Sequence, residues 1–143
     1  MTARPWAPRP KAGDIVQCRF PEGELGIPGP KDRPALVVEV EEDPKDQSAS
    51  IVRVAYGTSQ DVEQRYPGEF TIRATDPKAG LGLDTKFDLG NTMRLSFDSD
   101  WFTPSPNQRF GEHPKRGTLN LADQKLKRAL QAAILEAKDA GRL

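Results

Sequence analysis

Cysteine and histidine are almost missing from this chain of 143 residues, which has one of each. The single Cys18 excludes an internal disulfide and leaves a zinc ribbon without its ligands. It falls inside an apolar strand pattern, where a buried, inert thiol is expected. The lone His113 sits in a polar loop, so no multi-histidine metal site can be built, and no metal or other cofactor is expected. Net charge is missing as well, since 21 Lys and Arg balance 21 Asp and Glu. That balance neither proposes nor rules out a nucleic-acid partner, but it makes any anion-binding face a local one. No apolar run approaches membrane-spanning length, and the proline-rich opening has no signal-peptide core. A cytoplasmic chain with no membrane partner is therefore expected. There is no internal repeat and no low-complexity run.

The length suits one domain. Residues 1–12 contain three prolines with Arg4, Arg9 and Lys11, and read as a flexible or loosely docked N-terminal arm, with Trp6 available to pin it. Residues 13–143 read as one domain. Apolar alternation predicts strands at about residues 15–20, 35–41, 50–56 and 69–74. On the first, Val16, Cys18 and Phe20 oppose Ile15, Gln17 and Arg19. On the second, Leu36, Val38 and Val40 share a face, and on the third Val52, Val54 and Tyr56 do. The segment Glu42-Asp43-Pro44-Lys45-Asp46 is hairpin punctuation. Two further short strands are predicted at 86–89 and 92–97. Residues 98–117 hold three prolines and read as an ordered crossing loop anchored by Trp101, Phe102 and Phe110. The single clear helix is predicted at about residues 121–139, with Asn120 as N-cap and Gly141 after its last turn. Its apolar stripe is Leu126, Leu130, Ala133 with Ile134, and Ala137. Several short strands and one terminal helix point to a mainly β fold, a small bent sheet or SH3-like barrel.

Function is best sought where a loop rich in proline and glycine, residues 20–32, runs into the apolar strand Ala35-Leu36-Val37-Val38. Proline fixes φ and lacks the amide proton, so the loop is neither helix nor central strand. The composition of residues 21–32, with few apolar anchors, also predicts that this stretch is mobile. Lys31-Asp32-Arg33-Pro34 forms the junction. A guanidinium on a rigid strand start can grip a phosphate or carboxylate in two-point geometry. Thr58-Ser59-Gln60 ends another strand, and Gly57 before it allows close approach to the backbone. Asp84-Thr85-Lys86 places a carboxylate and a cation before a strand. Each group also has an ordinary reading: a surface Arg beside Asp32, a self-satisfied turn, a solvated ion pair. Asp98-Ser99-Asp100 has no calcium-loop spacing and reads as a solvated loop.

The arrangement resembles the MazF/PemK family of type II toxin–antitoxin toxins. The pieces that carry the resemblance are Gly13-Asp14-Ile15-Val16, Arg33-Pro34-Ala35-Leu36-Val37-Val38, Thr58-Ser59-Gln60, Tyr66-Pro67-Gly68-Glu69-Phe70, and Gly80-Leu81 followed by Leu83-Asp84. The resemblance implies an SH3-like barrel of the MazF/PemK/CcdB kind that forms a homodimer. It implies metal-independent cleavage of single-stranded RNA and a cognate antitoxin lying across the RNA groove. Carried over by position, Arg33, Thr58 and Asp84 are the implied catalytic residues, with Lys31, Ser59, Gln60 and Lys86 beside them as RNA contacts. The proton acceptor stays open among Asp84, Glu22, Glu24 and an arginine of depressed proton affinity. Phe20 and Tyr56 can either stack bases or pack in the core. The same fold includes gyrase poisons that cut nothing, so a non-catalytic barrel binding a protein target, or only an antitoxin, is the alternative.

Overall fold

In a computed structural model, residues 3–21, 26–43 and 45–143 are described. Six strands precede one helix: β1 (Asp14–Cys18), β2 (Arg33–Asp43), β3 (Asp46–Thr58), β4 (Glu69–Ile72), β5 (Thr85–Ser96), β6 (Lys115–Thr118) and α1 (Gln124–Asp139). All pair antiparallel in one sheet of order β4-β5-β3-β2-β1-β6, which curls into a half-barrel. The expected mainly β fold with a C-terminal helix is what the chain forms.

Successive strand residues point to opposite faces, and both faces of this sheet are covered. Ile15, Leu36, Ala55, Phe70, Ile72, Phe87 and Leu89 form one buried cluster beneath Leu126, Ala133 and Ala137 of the helix. Val16, Cys18, Phe20, Val37, Val52, Val54, Leu95, Phe97 and Phe102 form a second cluster on the other face. That is why every residue of β1 is buried. Burying one such Val, Leu, Ile or Phe side chain stabilises by about 1.5–3 kcal/mol. Burial also pushes the Cys18 thiol pKa up, which keeps the thiol protonated and unreactive.

Two irregularities depart from simple alternation. The β2–β3 register shifts between Val37 and Glu39. Leu36 and Val38 accordingly pack with the helix-side cluster, while Val40 packs with the other. The expected shared face of Leu36, Val38 and Val40 is thus broken by a bulge. In the β3–β5 ladder Ala55 pairs with Thr92 but Tyr56 with Asp88, which leaves Leu89, Gly90 and Asn91 out of register. The two short strands expected at 86–89 and 92–97 are the two halves of this one interrupted strand.

The helix starts later than expected. Asp123, not Asn120, is its N-cap, with the carboxylate accepting from the Lys125 and Leu126 amides. Gly141 follows in the left-handed region at φ 71°. At the other end of the chain, Trp6 donates from its backbone to Phe97 O at 3.1 Å and from its indole to Phe102 O at 3.0 Å. These bonds hold the N-terminal segment over the second cluster. Phe102 is fully buried, as an anchor should be, but Phe110 is 45 % exposed and lies beneath the Lys115 ammonium. It is not an anchor. The expected crossing loop also contains β6, whose four residues carry no apolar alternation. Among the described residues no helix is long and apolar enough to cross a membrane.

Candidate active site

The Ala35–Tyr56 pair is the last rung before the ends of β2 and β3. Beyond it the two strands press together at Gly57, where a Cβ would lie 2.3 Å from Pro34 O and 2.8 Å from Phe87 Cε1. Only glycine permits that approach. It sets Arg33 at the start of β2 beside Thr58 at the end of β3, and both line one cleft of about 270 Å³.

Arg33 is half-buried, with its guanidinium carbon 5.5 Å from the centroid of the Tyr56 ring. It makes no hydrogen bond or ion pair among the described residues, so its donors are available to an anion. Tyr56 packs edge-on against Phe20, which is itself buried in the second cluster. The aromatic pair therefore forms a support under Arg33. Thr58 Oγ1 accepts from the Gln60 amide at 3.1 Å, which leaves the hydroxyl proton free to donate. Ser59 is exposed and borders the same cleft, whereas exposed Gln60 and Lys31 lie outside its lining.

Asp84 is placed differently. It lines an adjoining recess that shares Ser59, Gly82 and Leu83 with the cleft. Its carboxylate accepts from the Ala74 amide at 2.7 Å and from Arg73 Nη1 at 3.1 Å. The amide first, and then the Arg73 guanidinium, hold its pKa below the usual carboxylate range. Lys86 is buried. Its ammonium donates to Asp61 O at 3.1 Å and Gln64 O at 2.8 Å and lies 3.3 Å from Glu69 Oε1. It braces the loop of residues 61–69 against β5 and does not face the cleft. Glu22 and Glu24 lie outside the described residues.

Three cleft residues were not singled out in the sequence as cleft groups. Asp32 is the acidic residue among those lining the cleft. Gln17 and Arg116, 7 % and 8 % exposed, line it from β1 and β6. The glycine at 117 was the available signal for Arg116, since a Cβ there would strike the Lys78 carbonyl at 2.3 Å. A larger cavity of about 510 Å³ lies at the start of the helix, bordered by Arg73, Asp76, Asn120 and Asp123. Arg73 and Asp123 already have partners there, in ion pairs and in the helix cap.

A curled antiparallel half-barrel closed by one C-terminal helix, with a guanidinium and a hydroxyl meeting at two strand ends, is consistent with the MazF/PemK class of fold. A family model described as PemK-like, MazF-like toxin of type II toxin–antitoxin system matches residues 11–100. The chain belongs to that family, which gives it an antitoxin as partner. A comparison with curated proteins returns no match.

Proposed function

We propose that this toxin is an endoribonuclease that cuts single-stranded RNA without a metal. The observation that supports this best is the meeting of Arg33, whose guanidinium makes no hydrogen bond or ion pair among the described residues, with the Thr58 hydroxyl in one cleft. In this reading an RNA phosphate lies across the two. The 2′-hydroxyl loses its proton, attacks the adjacent phosphorus, and the bond to the 5′-oxygen breaks as that oxygen takes a proton from water, leaving a 2′,3′-cyclic phosphate and a 5′-hydroxyl. Arg33 stabilises the charge that builds on the phosphorane, a role worth roughly two to three powers of ten in rate for a positioned donor. Thr58 donates its hydroxyl to a non-bridging oxygen. Asp84, with both oxygens engaged, acts as a positioning residue for the rim at Gly82 and Leu83. Asp32, the carboxylate that lines the cleft, takes the place of proton acceptor.

The toxin acts, on the family resemblance, as a cytoplasmic homodimer. Light scattering at micromolar concentration should give twice the 15.8 kDa chain mass, and a monomer alone would remove that part of the reading. The activity is tested by incubating the protein with total RNA in EDTA. Discrete fragments ending in cyclic phosphate are expected. Intact RNA beside arrested growth would instead identify a protein target. Thr58→Ala and Arg33→Ala should each slow cleavage. If both act in one transition state, the double variant should lose less than the product of the single losses.

A further inference from the structure

Arg116 is a buried guanidinium paired with no carboxylate among the described residues. Its Nε donates to Gly80 O at 3.1 Å and its Nη1 to Gln17 Oε1 at 2.7 Å, both neutral acceptors. No ion pair involves it among the described residues, and burial lowers its pKa with nothing to offset the effect. Among the described residues Nη2 has no hydrogen-bond partner. Among the described residues the fully buried side-chain atoms left without a partner are Thr103 Oγ1 and Asn120 Oδ1, so Nη2 is not fully enclosed. The residue borders both the cleft of Arg33 and Thr58 and the neighbouring recess beside Asn107 and Arg109.

Its position is built rather than incidental. Gly80, at φ +67°, lies so close to the Arg116 backbone that a Cβ there would stand 2.0 Å from Arg116 O. Gly117 packs against Lys78 and Ala79 in the same way. The side chain therefore enters the cleft from a fixed backbone, with two of its nitrogens tied. A hydrogen-bonded bridge between Gly80 and Gln17 needs no charge, and burying one without a counter-charge is unfavourable. An anion arriving in the cleft is the counter-charge that would offset it.

We infer that Arg116 is a second phosphate-binding residue, holding from β6 the RNA strand that Arg33 holds from β2. The inference rests on the nuclease reading above and deepens it. Arg116 also lies beyond the residues, 11–100, that the family model matches. The test is binding of a fluorescent 2′-O-methyl RNA oligonucleotide, which has no free 2′-hydroxyl to attack, across a series of salt concentrations. Each phosphate contact on a single strand contributes about 0.7 to the slope of log affinity against log salt. Arg116→Gln should bind roughly tenfold or more weakly, as expected for losing a hydrogen bond to a charged group. Its slope should be shallower by about 0.7, as should that of Arg33→Gln. A purely structural role would leave the slope parallel to wild type.

Circular dichroism checks that Arg116→Gln folds. If it does not, Gln17→Glu serves instead, because it sets a carboxylate on Nη1 and neutralises the guanidinium in place. A shallower slope supports the inference and a parallel one overturns it. A wild-type protein that ignores the oligonucleotide also overturns it, and cleavage of total RNA in the same preparation then shows whether the nuclease reading stands alone. Loss of slope in Arg33→Gln with none in the Arg116 or Gln17 variant leaves the nuclease reading intact and removes Arg116 from it.

Discussion

Gly57→Ala is the perturbation that most directly separates the cleft from the rest of the fold. The added methyl carbon would sit 2.3 Å from Pro34 O, whereas ordinary van der Waals contact starts near 3.4 Å. The acceptor is backbone, so no side-chain rotation relieves the clash, and Phe87 blocks the other direction at 2.8 Å. The ends of β2 and β3 must therefore part by about 1 Å. Overpacking of this kind costs about 1–3 kcal/mol. For a chain of this size each kcal/mol lowers the melting temperature by roughly 2–4 °C. The functional loss should be larger, because Arg33 and Thr58 sit on the two ends that part. A misplacement of about 1 Å between reacting groups costs roughly a hundredfold in rate. Thermal melting by circular dichroism and single-turnover cleavage of a fluorescent RNA measure the two effects. Gly82→Ala is the melting control, since a Cβ at that glycine meets nothing within 4 Å and its φ is ordinary. If Gly57→Ala melted like wild type and cut like it, the claim that this glycine sets the cleft would be wrong.

Arg33→Ala should lose about two to three powers of ten in cleavage rate while stability moves by no more than about 0.5 kcal/mol; Arg33→Lys should recover little, since a point charge cannot supply two parallel bonds to phosphate. Asp123→Ala should cost about 1 kcal/mol in denaturant unfolding through loss of the helix cap, and Asn120→Ala should not reproduce that cap loss. Glu136, bound by Arg65 through both carboxylate oxygens at 2.6 and 2.9 Å, has its pKa drawn down from 4.5 to about 2. A depressed acid stabilises the fold above its unfolded pKa and ceases to do so as pH falls through the folded one. The melting-temperature gap between wild type and Glu136→Gln should thus be widest near neutrality and close between pH 4.5 and about 2; a gap that stays constant over that range would contradict the assignment.

Much of the sheet is written in period-two patterns that survive any context. Val16 and Cys18 oppose Ile15, and Val52 and Val54 oppose Ala55, as alternation requires. What escaped the pattern has identifiable physical causes. The bulge after Val37 changes the face of Val40 without leaving a mark in composition. Asn120 and Asp123 are both good caps, and the choice rests on where the helix meets the sheet. The strand at Lys115–Thr118 has no apolar alternation because its residues are held by Gly80 and Lys78 rather than by a core. Arg33 and Thr58 were legible because proline and glycine punctuate their strand ends. The burial of Lys86 was not, since it depends on carbonyls of a loop more than twenty residues earlier in the chain.

The pairing of β1 with β6 joins Asp14 to Thr118, strands at opposite ends of the sheet-forming sequence. During synthesis β1 emerges first and waits for its outer neighbour until residue 118 has been made. Contacts of such sequence separation form late and slowly. A nascent chain shorter than this leaves β1 with a bare edge and a cleft that lacks the wall bearing Arg116. For a protein proposed to destroy RNA, the order of assembly keeps the cleft incomplete until β6 has been made.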